Sequence, residues 1–272
     1  MSVAQTATSR GDFGHRLFIG FVALVYVFLM LPIAVVFIAS LNAGAYLKFP
    51  PDGISLRWYA AFFDNEPFLQ AMYVSLRVAA ISTVFSTAIG TLAAVYYVKF
   101  ALRWRQALRM VLIAPMLLPE ILTAIALLLY YYSIGLGTKT LAGLQIGHIL
   151  VTMPYVFLNV TATLGNMNPS LEEAARSLGA SPTTAFRRIS LPLMKQGIVN
   201  GAMFAFIISF DTFSISLLLK GVDTMTLPIQ LFEYLQWNFD PTAAAVSTLS
   251  IVVTATIVLL TDRLVGLRAI HF

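Results

Sequence analysis

Six apolar stretches alternate with short polar segments along the chain, and each is about long enough to cross a membrane as a helix. A transmembrane helix needs about 20 predominantly apolar residues. The stretches cover residues 17–41, 72–98, 108–132, 146–165, 197–219 and 242–261. The pattern predicts an all-α polytopic membrane protein with six transmembrane helices. Residues 17–262 form its membrane domain, and residues 1–16 and 263–272 are polar tails.

Several residues that disturb helices fall inside these spans, namely Gly90, Pro115, Pro119 and Pro154. A membrane helix tolerates such residues when neighbouring helices satisfy the backbone groups that they free. We therefore expect residues 108–132 to cross the membrane as one span despite their two prolines.

Composition supports a membrane location and excludes several kinds of site. Apolar residues make up 59% of the chain and charged residues only 11%, against about 25% charged in a soluble domain. The chain has no cysteine, which excludes a disulfide framework and thiolate metal sites. The net charge of +5 is spread over short loops, so we do not expect nucleic-acid binding. The first apolar run has no small-residue cleavage site before Pro32, which predicts a retained span.

Basic residues are distributed unequally between the two sides that a six-span topology defines. One side carries Arg10, Arg16, Lys99, Arg103, Arg105, Arg109, Arg176, Arg187, Arg188, Lys195, Arg263 and Arg268, and the other carries Lys48, Arg57, Lys139 and Lys220. The side richer in Lys and Arg normally faces the cytoplasm. Both termini and the loops at 99–109 and 166–196 are therefore expected to be cytoplasmic.

The loop at residues 166–196 carries signals for two short helices. A serine-initiated capping box and a closing glycine predict the first helix. A second serine followed by proline predicts the next start, and a leucine-proline pair predicts a change of direction. In chain order these residues are Ser170 with Glu173, Gly179, Ser181 with Pro182, and Leu191-Pro192. A polar helix-turn-helix is therefore expected to project from the membrane domain.

Residues 55–63, on the opposite side, have aromatic residues at helical spacing beside Asp64 and Glu66. One interpretation is an interfacial helix anchored by Trp58 and Tyr59. The other is a docking surface for an external partner.

Enzyme chemistry is not expected. His15, His148 and His271 are dispersed and form no compact set of metal ligands. The segment Gly137-Thr138-Lys139-Thr140 lacks the spacing of a phosphate-binding loop. The chain therefore has no device of this kind for binding ATP.

The cytoplasmic loop contains the pattern E-A-A, three residues, G, nine residues, I-x-L-P, which resembles the signature of type I ABC importer permeases. The matching residues are Glu173, Ala174, Ala175, Gly179, Ile189, Leu191 and Pro192. The resemblance covers nearly all of residues 70–262. It implies a type I transmembrane domain whose helix pair at 170–190 docks on an ATPase subunit and couples ATP-driven closure to transport. Arg187 and Arg188 can form ion pairs across such an interface.

Three further segments resemble the second permease subunit of spermidine/putrescine importers. They are Ser75-Leu76-Arg77-Val78-Ala79, Leu117-Leu118-Pro119-Glu120-Ile121 and Ser209-Phe210-Asp211. Permeases for opines, aminoethylphosphonate, other amino-acid-derived solutes and ferric iron look similar, and Thr212 stands where some polyamine permeases have a second Asp. The resemblance implies a complex in the bacterial inner membrane with a homologous second permease, two copies of an ABC ATPase and a periplasmic solute-binding protein. It places ATP and Mg on the ATPase and no cofactor on this chain.

Glu120 and Asp211 are the acids deep in the predicted spans. An ionisable side chain there usually faces a cavity or a pathway. We therefore consider Glu120, Asp211, Ser209 and Thr212 as candidates for lining the substrate pathway. The alternatives are a protonated Glu120 bonded to carbonyls freed by the prolines, and an interhelical hydrogen-bond cluster around Asp211. A stand-alone facilitator is the alternative at the level of function.

Overall fold

The computed structural model describes residues 6–101, 103–135 and 140–265, with side chains from residue 14 to residue 263 except 222. The regular secondary structure of these residues is helical, apart from an isolated antiparallel bridge between Asn42 and Ile54. Predictions for residues 137–139 and for the far ends of both tails lie outside the described residues. The α-helices are α1 (Thr6–Ser40), α2 (Arg57–Phe63), α3 (Glu66–Lys99), α4 (Arg105–Leu117), α5 (Glu120–Ser133), α6 (Leu141–Gly165), α7 (Ser170–Ser177), α8 (Pro182–Ala185), α9 (Leu191–Asp211), α10 (Ser214–Leu219), α11 (Leu227–Leu235) and α12 (Thr242–Val265).

Five helical runs in the described residues are long and apolar enough to cross a membrane, and a bent pair brings the count to six if it forms one span. The five are Gly14–Ser40, Glu66–Lys99, Leu141–Gly165, Pro182–Asp211 and Thr242–Arg263. The all-helical membrane fold predicted from the apolar pattern is confirmed.

Two predicted spans differ from the structure. Residues 108–132 form α4 and α5, which bend by 102° at a break. The break follows from Pro119, because a residue before proline avoids the helical region, and Leu118 adopts ψ 146°. The fifth span was predicted at 197–219, but its helix ends at Asp211 and α10 starts afresh after it.

Among the described residues, 6–64 and 237–251 form one compact unit of the chain. In it, the predicted helix near residues 55–63 is confirmed as α2. The Trp58 indole nitrogen donates to the Asn42 carbonyl at 2.7 Å, and the Tyr59 hydroxyl lies 2.6 Å from Ser40 Oγ. The two aromatic residues proposed as interfacial anchors therefore hold α2 against the end of α1.

The described residues of 65–236 and 252–265 form the second unit, whose core is the packing of α3, α6 and α9. The three backbones approach closely at Val156 on α6, which is fully buried. A Cβ at Gly90 would lie 2.8 Å from Val156 Cβ, and a Cβ at Gly201 would lie 2.8 Å from Val156 Cα. Small residues allow this approach, as is typical between membrane helices.

Candidate functional site

The first helix of the predicted cytoplasmic pair is α7, and its start differs from the prediction. Pro169 is the N-cap and has helical backbone angles, and the Ser170 backbone N–H donates to Asn168 Oδ1 at 3.1 Å. The predicted capping box of Ser170 and Glu173 is therefore wrong. Proline presets a helical φ, so the helix starts one residue earlier and Asn168 supplies the capping oxygen.

The end of α7 has the predicted glycine. Gly179 has φ +88°, its N–H donates to the Arg176 carbonyl at 3.0 Å, and the Ala180 N–H donates to the Ala175 carbonyl at 3.0 Å. These two bonds form a Schellman motif, which requires a left-handed residue at this position. Gly179 therefore fixes the turn between α7 and α8.

The second predicted start is confirmed, but it does not begin a short helix. Ser181 Oγ accepts from the Thr184 N–H at 3.2 Å and Pro182 occupies the first turn. From there the chain is helical as far as Asp211. The predicted change of direction at Leu191-Pro192 is therefore wrong.

A π-helical segment at Phe186–Ser190 explains this continuity. In a regular α-helix the Pro192 ring would clash with the carbonyl four residues earlier. The segment makes wider turns, in which the Leu191 N–H donates to the Phe186 carbonyl. The helix therefore accommodates the proline and continues into the membrane domain.

Lys99, the last residue of α3, ties this helix pair to the core. Its ammonium forms a half-buried ion pair with Glu172 on α7 and lies 5.2 Å from the centroid of the Phe186 ring. Sequence reasoning missed these contacts, because no local pattern relates residues 73 positions apart. An open cavity of about 640 Å³ lies beside them, with Arg176 and Arg187 in its wall.

Most of the predicted coupling residues lie on the exposed surface of this region. Two of them, Ala175 and Ile189, are half-buried. The other six are exposed, namely Glu173, Ala174, Gly179, Arg187, Leu191 and Pro192. Leu178, which sequence reasoning passed over, is 90% exposed at the tip of the turn. The exposed leucine beside an exposed glycine turn gives the tip an apolar contact surface.

The predicted pathway acids both lie at helix breaks. Glu120 is the first residue of α5, after the break that follows α4, and Asp211 is the last residue of α9. Because α10 packs against α5, the Glu120 carboxyl lies by the Thr212 hydroxyl and the Ile215 N–H and close enough to Asp211 to interact electrostatically. Glu120 Oε1 is buried and has no hydrogen-bond partner among the described residues.

Ser209, the fourth pathway candidate, is 2% exposed and belongs to a buried network around His148. His148 Nδ1 lies 2.8 Å from Ser209 Oγ, and Nε2 lies 3.1 Å from Ser216 Oγ. The Ser216 hydroxyl donates to the Thr212 carbonyl at 2.9 Å, so its oxygen is available to accept from Nε2–H. One imidazole on α6 thus binds both sides of the break that separates α9 from α10.

The membrane-spanning helices, the projecting helix pair and the two broken helices define a membrane transport subunit. A family model described as "Binding-protein-dependent transport system inner membrane component" matches residues 86–269. The chain belongs to this family. It is a permease subunit of an ABC importer, a component of the inner membrane and not an enzyme.

Several curated relatives are similar over most of the chain. The spermidine/putrescine transport system permease protein PotC of Haemophilus influenzae is 30% identical, over 89% of this chain and 93% of the relative. The putrescine transport system permease protein PotI of Escherichia coli K12 is 29% identical over 82% of each chain. The molybdenum transport system permease protein ModB of Mycobacterium bovis is 29% identical, over 83% of this chain and 91% of the relative.

The fold is also that of a solved bacterial ABC transporter involved in the import of the acidic polysaccharide alginate. The TM-score is 0.74 at 18% identity, over 97% of this chain and 98% of that chain. At this identity the match establishes the fold alone.

Proposed function

We propose that this permease forms half of the translocation pathway of an importer for small organic cations of the polyamine class. The observation that carries the proposal is the position of Glu120 and Asp211 at two helix breaks, where α5 packs against α10. Broken membrane helices commonly form solute sites in transporters. The two relatives named for putrescine or spermidine transport support this solute class.

The local electrostatics favour a cation. In the described ranges neither Glu120 nor Asp211 has an ion pair, and Glu120 Oε1 has no hydrogen-bond partner. Asp211 ends α9, where the helix dipole adds partial negative charge. An ammonium group of the solute would interact with both carboxylates and donate to the unpartnered oxygen. Thr212 follows Asp211 in the chain and lies by Glu120, and Ser209 supports the same break from within the protein.

The exposed tip of α7 and α8 is the surface proposed to dock on the ATPase. This role requires the tip, and with it both termini, to face the cytoplasm, in agreement with the distribution of Lys and Arg. The proposed coupling surface consists of Glu173, Ala174, Ala175, Gly179, Arg187, Ile189, Leu191 and Pro192. Lys99 carries movement of α7 to α3 through Glu172.

The proposed complex contains this chain, a homologous second permease, two copies of an ABC ATPase and a periplasmic solute-binding protein. ATP and Mg²⁺ bind to the ATPase subunits, and this chain holds no cofactor of its own. The solute-binding protein sets affinity for the solute, so the membrane acids need bind it only weakly.

Uptake by the reconstituted complex tests the proposal. Glu120→Gln and Asp211→Asn each remove one carboxylate charge, and we expect about tenfold slower putrescine and spermidine uptake, equivalent to about 1.4 kcal/mol. Affinity for the external solute should change little. Asp223→Asn, at an exposed position outside the breaks, is the matched control and should transport at the wild-type rate.

Three results would contradict different parts of the proposal. Uptake of an opine, a phosphonate, an oxyanion or ferric iron in place of polyamines would refute the solute class. Normal cation flux in both variants and in their double variant would remove the acids from the pathway. Solute flux through this chain without an ATPase would indicate a facilitator.

A further inference from the structure

A cavity of about 420 Å³ lies between the end of α3 and the first half of α4, and neither the pathway acids nor residues of α7 and α8 line it. It is lined by Tyr97, Arg105, Gln106, Arg109, Met110 and Ile113. None of these six residues is acidic. The volume is sufficient for a glycerophosphate group, and its polar wall contains two guanidinium groups.

The two arginines are available to bind an anion. Arg105 and Arg109 are four residues apart on α4, so both side chains lie on one face of the helix. Neither has an ion pair among the described residues, and both are exposed. The Arg105 guanidinium lies 4.8 Å from the centroid of the Tyr97 ring. Stacking of this kind fixes the guanidinium plane and leaves its N–H edge free to donate to a phosphate.

The other end of the cavity is apolar. Met110 and Ile113 line it, and Val111, Met116 and Leu117 farther along α4 are also exposed. The described part of α4 has no fully buried residue, so α4 presents apolar side chains at the surface of this chain. Polar groups therefore precede apolar groups along one helix, in the order that a phospholipid presents its headgroup and acyl chain.

Two aromatic residues mark this level of the protein as a membrane interface. Phe100 is 65% exposed and Trp104 is 71% exposed, and both lie in the short connection between α3 and α4. Tryptophan is enriched at the level of lipid headgroups. Basic pockets between membrane helices at this level bind anionic headgroups.

We infer that this cavity binds the phosphate of an anionic phospholipid, with Arg105 and Arg109 on the headgroup and the acyl chain along Met110 and Ile113. The site is separate from the proposed solute pathway, and occupation of the cavity would tie the α3–α4 connection to the lipid surface. Phosphatidylglycerol is the probe of choice, because its headgroup carries a phosphate and no cationic group.

The test is native mass spectrometry of the assembled transporter, released from nanodiscs that contain equal amounts of phosphatidylglycerol and phosphatidylcholine. We expect selective retention of phosphatidylglycerol by the wild-type complex. The double variant Arg105→Gln/Arg109→Gln should lose about tenfold to thirtyfold of that retention. The control Arg103→Gln/Lys195→Gln removes the same charge from exposed positions outside the cavity and should change retention less than twofold.

Arg105→Lys/Arg109→Lys keeps the charge and loses the forked donors, so we expect it to retain less phosphatidylglycerol than the wild type and more than the glutamine variant. Quenching of Trp104 fluorescence by brominated phosphatidylglycerol, stronger than by brominated phosphatidylcholine, gives a second readout in intact nanodiscs. Trp104→Phe supplies the background from the other tryptophans.

The inference is overturned if the wild type retains both lipids equally, or if the control variant loses as much phosphatidylglycerol as the cavity variant. Displacement of phosphatidylglycerol by millimolar inorganic phosphate would assign the cavity to the free anion. Protection of Trp104 from both brominated lipids in the assembled complex would show that another subunit covers the cavity. None of these results depends on which solute the transporter imports.

Discussion

Replacement of Gly179 by valine should remove most of the ATP hydrolysis that the solute-loaded binding protein stimulates. Gly179 has φ +88°, and a Cβ built there would meet no atom within 4 Å. The cost of a side chain within the chain itself is therefore conformational. A left-handed backbone costs an L-residue about 1–2 kcal/mol, and a β-branched residue lies at the upper end of this range. The native turn between α7 and α8 would thus be disfavoured by a factor of about 5–30.

The assay is ATP hydrolysis stimulated by the solute-loaded binding protein, together with uptake, in proteoliposomes that contain equal amounts of complex. Gly179→Val should assemble and insert normally but lose most of the stimulated hydrolysis. Gly179→Asn is the matched control, because asparagine tolerates the left-handed region, and it should keep more of the activity.

Wild-type stimulation and uptake in the valine variant would refute the reasoning. Equal loss in the asparagine and valine variants would show that the bulk of the side chain matters and that the turn conformation does not.

Two further predictions concern the core and the orientation. His148→Leu should lower the free energy of unfolding by about 1–3 kcal/mol, because the buried Ser209 hydroxyl loses its hydrogen-bond partner. Thermal unfolding in detergent measures this loss, and the control Ser86→Ala removes an interhelical hydrogen bond away from the break. Equal losses in the two variants would contradict a special role for His148. The chain has no cysteine, so single cysteines report the orientation. In intact cells Ser181→Cys should be protected from an impermeant maleimide, and Ile54→Cys should be labelled. Labelling of Ser181→Cys from outside would reverse the topology.

Apolar length predicted the membrane fold, but it could not predict where helices break. Pro119 contained a usable signal, since the residue before a proline avoids the helical region. We interpreted it as a kink because the apolar run continues past it. The break after Asp211 has no proline or glycine beside it. His148, on another helix, lies within hydrogen-bond distance of serines on both sides of this break, a contact that no local pattern contains.

The docking region shows a similar division between local and distant causes. Gly179 and the Ser181 cap were predicted correctly, because a cap and a Schellman turn depend on a few adjacent residues. The start of α7 differs from the prediction because two residues within three positions, Asn168 and Ser170, can each cap the helix. The continuous helix across Pro192 depends on a π-helical segment, whose wider turns the sequence pattern did not predict.

The close approach at Val156 restricts how this subunit can change shape. With Gly90 on one side and Gly201 on the other, its side chain and backbone occupy the gap between three helices, and any sliding of α3 or α9 past α6 would drive Val156 into a neighbouring backbone. We therefore expect the three helices to move together as a rigid body during transport, with the deformation at the breaks after Leu117 and Asp211. Spin-label distances within the trio should stay constant through an ATP cycle, while distances from the trio to α4 should change.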